Sequence, residues 1–236
     1  MRNNQFVTLS WFRCIALVFL YFIFYAFLLE PIVVFLTLKL HPEAIFVSIP
    51  ISFSIDLLLL ILIAWIAKPV WKDGFYKIKQ QFSRNLKLAF KCVGFILVVN
   101  MALSILVSLF TNTQTSANQE IIMQNIEVAP LYMAFSALLF APVVEETIFR
   151  GMIFTKARSY FNPKVAMFIS ACTFGFMHVF ASFLAGNYLD LSYFVIYFAI
   201  GFVIAWAYEK SESIVVSTLV HFGNNFVAML PLLLLL

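Results

Sequence analysis

The chain has 236 residues, of which 64% are hydrophobic, 29 are Phe and only 11% are charged. A water-soluble domain of this size carries about a quarter charged residues, so too few polar groups exist here to cover a surface facing water. Lipid must cover it, and a soluble enzyme or a nucleic-acid-binding module is excluded despite a net charge of +4.

A hydrocarbon core of about 30 Å takes roughly 20 apolar residues as a helix. Seven runs qualify: 14–38, 44–67, 92–110, 129–155, 164–185, 192–208 and 213–236. The expected fold class is therefore all-α, a polytopic transmembrane helix bundle of about seven spans. The first run follows Arg2 but continues to Leu38 without a small-residue cleavage site, which reads as a retained signal anchor rather than a cleaved signal peptide. Cys14, Cys92 and Cys172 all lie in apolar stretches without a C-x-x-C pairing, against a disulfide framework or a structural zinc site.

Between the second and third spans, Trp71, Phe75, Ile78, Phe82 and Leu86 recur at helical spacing among basic residues. The pattern predicts an amphipathic helix over 68–91 in the cytosolic lipid interface. Residues 1–128 hold the first three spans and this segment, and residues 129–236 the last four spans. Arg2, Arg13, the basic run 68–91, Arg150, Lys156, Arg158, Lys164 and Lys210 are all assigned to one side, with only Lys39 on the other. The positive-inside rule makes the basic side cytosolic, with the N-terminus inside and the C-terminus outside. The compact size favours a bacterial plasma membrane.

Charged groups within a span are costly and functional by default. Glu145 and Glu146 sit in the fourth span, His178 in the fifth and His221 in the seventh. Counted from the nearest basic turn, they lie about 16, 21 and 13 Å deep at 1.5 Å per residue, comparable depths from three separate helices. Glu146 and Arg150 are i,i+4 and can form an ion pair, leaving Glu145 free, about 100° around the helix. Phe174 and His178 share the same spacing, as do His221 and Asn225. Each element has a plainer explanation: a buried ion pair, a histidine bonding a neighbouring helix, or Asn224 and Asn225 joining helices. Together, a carboxylate, two imidazoles and an amide suit activation of water and stabilisation of an oxyanion. Asp56 and Glu30 are further intramembrane acids. Asp56 could support the site or pair with Asn100, while a kink at Pro31 accounts for Glu30.

These residues also resemble a known family. Glu145-Glu146-Thr147-Ile148-Phe149-Arg150, Phe174-Gly175-Phe176-Met177-His178 and His221-Phe222-Gly223-Asn224-Asn225 are similar to the E-E-x-x-x-R, F-x-x-x-H and H-x-x-x-N motifs of the CAAX prenyl protease and bacteriocin-processing (CPBP) intramembrane proteases. The resemblance covers residues 130–228 and implies peptide-bond hydrolysis in a cavity open to the cytosol, with residues 129–236 as the catalytic core and residues 1–128 as a variable N-terminal transmembrane region. It implies that Glu145 and His178 activate water, that His221 and Asn225 hold the oxyanion, and that Glu146 and Arg150 order the site. The expected partners are membrane lipid and a peptide or small membrane-protein substrate. Metal use stays open: the sequence lacks H-E-x-x-H, yet Glu145, His178 and His221 could form a three-ligand zinc site. The i,i+4 pairing of His221 with Asn225 tilts the reading towards a metal-free reaction. The competing functions are a proton-coupled transporter relaying through Asp56, Glu145 and His178, and a non-catalytic bacteriocin-immunity protein.

Overall fold

A computed structural model describes residues 6–40 and 48–234. The topogenic Arg2, the start of the second span at 44–47 and the last two residues of the seventh lie outside the described residues, as do the side chains of Glu30, Leu233 and Leu234.

Nine helices carry the described chain: α1 (Trp11–Leu40), α2 (Ile49–Ile66), α3 (Lys68–Gln80), α4 (Phe82–Thr111), α5 (Ala117–Val128), α6 (Pro130–Tyr160), α7 (Pro163–Leu184), α8 (Tyr188–Ser211) and α9 (Ile214–Leu234). All but α3 and α5 are long and apolar enough to cross a membrane, which gives seven candidate spans. Side chains such as Phe12, Phe110 and Leu131 are more than 80% exposed on their outer faces. A surface of that kind needs lipid against it.

Local chemistry sets the helix ends. Pro130 opens α6 and Pro163 opens α7, positions where a missing N–H costs no intrahelical bond. Asn162 Oδ1 caps α7 by accepting from the Val165 N–H at 3.1 Å. At the other end of the bundle, Ser116 caps α5 by accepting from the Gln119 N–H at 3.2 Å. Glu212 turns α8 into α9 in the left-handed region, with φ 55°.

The segment 68–91 differs from its expected form. It breaks at Gln81, and residues 82–91 are the first turns of α4, a 30-residue helix. α3 does not offer its aromatic stripe to lipid as one face. Val70, Gly74 and Ile78 are its buried side, whereas Phe75 and Phe82 are exposed. Gly74 is needed because a Cβ there would sit 2.8 Å from Ile214 Cγ2 and 3.2 Å from the Ile214 nitrogen. The Ser213 hydroxyl donates to the Gly74 carbonyl at 2.7 Å. α3 is thus fastened beneath the start of α9. The helix α5 lies between the third and fourth apolar runs, with too few apolar residues for a span.

One end of the bundle gathers the basic residues. There Arg158 pairs with Glu209 at 3.1 Å, Lys77 reaches Glu212 at 3.5 Å, and Lys156 lies over the Trp11 ring at 4.5 Å. Arg150 is not among them. It is fully buried within α6, so it belongs to the interior and does not mark the cytosolic boundary.

Candidate active site

Glu145 and Glu146 close the α-helical part of α6 before it widens into π-helical turns over Thr147–Phe154. Such widened turns recur at functional sites, where they re-aim side chains. Glu146 and Arg150 meet as the spacing predicts, at 2.8 Å and fully buried. The second Arg150 nitrogen donates to the Gly201 carbonyl of α8 at 2.8 Å, and the guanidinium lies 4.9 Å from the Phe174 ring centroid. A buried charge is tolerable only when paired, although Arg150 Nε and Glu146 Oε2 are buried without a hydrogen-bond partner among the described residues.

Glu146 has a second partner. Its Oε1 is 3.0 Å from His221 Nδ1, so α6 and α9 join through a carboxylate shared between guanidinium and imidazole. The other nitrogen, His221 Nε2, points to Glu145 Oε2 at 3.9 Å. His178 approaches the same oxygen from α7, with its Nε2 also 3.9 Å away. His178 Nδ1 lies 2.9 Å from the Phe174 carbonyl. A carbonyl only accepts, so Nδ1 carries the proton and Nε2 offers its lone pair towards Glu145. Glu145 Oε2 is buried and accepts no hydrogen bond among the described residues. Separations of 3.9 Å are too long for direct hydrogen bonds.

The Phe174 ring organises this cluster. It stands 4.5 Å from the His178 ring and 5.7 Å from the His221 ring, with Arg150 above it. Gly201 makes room for it: a Cβ at that position would be 3.0 Å from Phe174 Cδ1. Asn225 completes the set less directly. One of its N–H groups donates to the Ala137 carbonyl at 2.9 Å, and its Oδ1 accepts from Asn224 at 3.1 Å, which leaves its second N–H for a ligand. All three motif helices therefore bring their polar residues to one place.

A cavity of about 460 Å³ opens on Glu145, His178, His221 and Asn225. Gln114, Thr115, Ser116, Asn118 and Gln119 form part of its wall. Glu146, Thr147, Arg150 and Ser170, by contrast, are fully buried.

Zinc can be tested against the same distances. Tetrahedral zinc with nitrogen and oxygen ligands at its usual bond lengths sets neighbouring donors about 3.3 Å apart. The separations of 3.9 Å exceed this, and no group of three or more His, Cys, Asp or Glu among the described residues is arranged to hold a metal ion. The trio as placed does not fit the metal.

Asp56 accepts from Tyr25 at 2.7 Å and from Tyr132 at 2.8 Å, and lines a separate cavity of about 190 Å³. It does not pair with Asn100, which donates instead to Asn224 at 3.4 Å. The proton relay through Asp56 thus has its first member outside the cavity that holds Glu145 and His178.

Three contributors carried no motif. Tyr197 stacks on His178 with centroids 4.4 Å apart and 23° between planes. Trp71 Nε1 donates to Thr147 Oγ1 at 3.0 Å, tying α3 to the residue after Glu146. Residues 114–119 wall the cavity mouth. The only sequence signal for them was a cluster of uncharged polar residues in an otherwise apolar chain.

Comparison with known proteins agrees with this geometry. The profile of the family described as "Type II CAAX prenyl endopeptidase Rce1-like" matches residues 127–227, the stretch that holds all three motifs. The chain is 28% identical over 197 residues to the "Putative membrane peptidase YdiL" of Bacillus subtilis, covering 82% of this chain and 74% of that protein. It is 32% identical over 173 residues to the "UPF0177 protein YxdF" of Lactococcus lactis, covering 71% of this chain and 88% of that one. No solved structure matches the chain significantly.

Proposed function

Because the chain belongs to the CAAX prenyl protease and bacteriocin-processing (CPBP) family of membrane peptidases, we propose that it is an intramembrane endopeptidase in a bacterial plasma membrane, N-terminus in the cytosol and C-terminus outside. Its substrate is a membrane-associated peptide or small protein. The observation that carries this reading is the buried, unpartnered Glu145 Oε2 facing His178 Nε2 and His221 Nε2, each at 3.9 Å.

In this reading Glu145 removes a proton from a water that the His178 Nε2 lone pair orients. The hydroxide attacks the scissile carbonyl carbon, and the carbonyl π electrons move onto oxygen. His221, oriented at Nδ1 by Glu146, faces that oxyanion with Nε2 as one donor, and the free Asn225 N–H is the second. The proton on Glu145 then passes to the amide nitrogen as the oxyanion collapses and the C–N bond breaks, which releases an amine and a carboxylic acid. Glu146 and Arg150 touch neither water nor substrate. They fix His221, so they are positioning residues. Residues 129–236 carry this chemistry, and residues 1–128 supply part of the cavity wall. No step runs through a metal.

The test is cleavage of a library of membrane-anchored peptides by the purified parent, Glu145→Ala and His178→Ala proteins in detergent. Cleavage by the parent and by neither variant is expected. Equal cleavage by all three would overturn the assignment.

A further inference from the structure

Resting on the peptidase reading of this cavity, we propose that Asn100 is a positioning residue of the reaction: through Asn224 it fixes the direction in which Asn225 presents its donor to the oxyanion.

Three side-chain amides run in series from α4 to α9. Asn100 Nδ2 donates to Asn224 Oδ1 at 3.4 Å, Asn224 Nδ2 to Asn225 Oδ1 at 3.1 Å, and Asn225 Nδ2 to the Ala137 carbonyl at 2.9 Å. The last acceptor sets the sense of the whole series. A backbone carbonyl only accepts, so Asn225 turns its nitrogen to Ala137 and its oxygen to Asn224. Asn224 then gives its nitrogen to Asn225 and its oxygen to Asn100. Position 100 must therefore supply a donor. Held in this way, the Asn225 amide keeps its second N–H for a ligand in the cavity that Glu145 and His221 also line. An Asn224 released by Asn100 can exchange its oxygen and nitrogen. Asn225 would then have to turn its own oxygen against the Ala137 carbonyl, or give that bond up, and its donor to the oxyanion would be misaimed.

Packing places Asn100 for this role. It follows Cys92 and Ile96 at four-residue steps on α4, and both of those are buried, so it shares their inward face. Gly223 lets α4 and α9 approach closely, because a Cβ there would be 2.7 Å from Val93 Cγ2. Asn100 itself lines the cavity, yet it belongs to none of the three motifs and lies outside the matched residues 127–227. The plainer role is an amide that joins two spans. Against it, Asn100 Oδ1 is buried and accepts no hydrogen bond among the described residues, and an unpaired buried acceptor costs stability. Joining helices does not explain that cost, whereas a donor required at one atom of Asn224 does.

The test is a double-mutant cycle on the full-length protein in detergent, read as kcat and KM for a membrane-anchored peptide beside the unfolding temperature. Asn225→Ala removes an oxyanion donor and should lower kcat about a hundredfold. Asn100→Leu, which has neither donor nor acceptor, should lower kcat about tenfold with KM unchanged, a part of what losing the whole donor costs. Its unfolding temperature should stay within about two degrees of the parent, since single interhelical side-chain bonds contribute little in membranes. In the doubly substituted protein the losses should not multiply, and kcat should equal that of Asn225→Ala, because Asn100 acts only through that amide. A parent-like kcat in Asn100→Leu, or a double variant about tenfold slower than Asn225→Ala, would overturn the proposal. Should Asn100→Leu also lower the unfolding temperature, Asn224→Leu breaks the same series from α9. Its loss must likewise fail to multiply with Asn225→Ala, and a multiplying loss overturns the proposal. A parent that cleaves nothing refutes the peptidase reading and this role with it, a result distinct from a parent and an Asn100→Leu variant that cleave equally fast.

Discussion

Tyr197 lies flat against His178, 4.4 Å between centroids, and its hydroxyl bonds Ser116 Oγ at 2.7 Å. One side chain thus holds the imidazole on one edge and the cap of α5 on the other. The mouth segment is anchored further where the Ala117 N–H donates to Asp190 at 2.9 Å, and Asp190 accepts from Ser182 at 2.6 Å. The wall that orients the histidine and the segment that frames the entrance are therefore one hydrogen-bonded unit.

The two halves of Tyr197 are separable. Tyr197→Phe keeps the stack and loses the Ser116 bond, so kcat should hold while proteolysis of residues 112–118 becomes faster. Tyr197→Ala loses the ring contact, worth about 0.5–1.5 kcal/mol, and kcat should fall up to about tenfold with KM little changed. Peptide-cleavage kinetics on both variants, set beside limited proteolysis, check the split. Equal losses in both variants would show that the ring does not position His178.

Neighbouring glutamates should respond in opposite ways. Glu146→Ala strips the partner from a fully buried Arg150 and from His221 Nδ1, a change that costs about 3–5 kcal/mol when one member of a buried pair is removed. Its thermal unfolding in detergent, followed by tryptophan fluorescence, should shift down by several degrees. Glu145→Gln removes a carboxylate that has no hydrogen-bonded partner on Oε2, so its unfolding temperature should stay within a degree or two while activity is lost.

The sequence conveyed the spans and the motif residues because both rest on local spacing. Seven apolar runs, the i,i+4 step from Glu146 to Arg150, and the Phe174–His178 step are legible without a fold. What it withheld depends on side chains meeting across helices. Glu146 is shared with His221 across 75 positions of sequence. The cavity that holds Glu145 is walled by residues from α4 to α9, and no periodicity carries that. Trp71 looked like a lipid-facing residue because the turn into α4 at Gln81 was not foreseen. The indole instead reaches Thr147.

Gly201 is the position where the smallest change should do the most harm. Its carbonyl accepts from Arg150, and an added Cβ would meet Phe174 Cδ1 at 3.0 Å and Phe174 Cβ at 3.2 Å. Gly201→Ala pushes on the ring that backs both histidines, and a shift of about 1 Å at reacting groups costs on the order of a hundredfold in rate. Replacing the ring as well, in Gly201→Ala with Phe174→Leu, should restore part of the activity by relieving the contact. If the double variant is no better than the single one, the clash is not the cause.

Metal removal distinguishes the two chemistries this family resemblance left open. Glu145 Oε2 stands 3.9 Å from each imidazole Nε2, against about 3.3 Å between donors around a tetrahedral zinc. His221 Nδ1 is engaged by a carboxylate, an arrangement that would also serve a metal-ligating histidine. The purified parent, dialysed against 1,10-phenanthroline and then against metal-free buffer, should cleave its peptide at the starting rate. Added zinc should give no increase. Inactivation that zinc reverses would show that Glu145, His178 and His221 close by about half an ångström onto a bound ion, and the general-base route through Glu145 would be replaced by a metal-bound one.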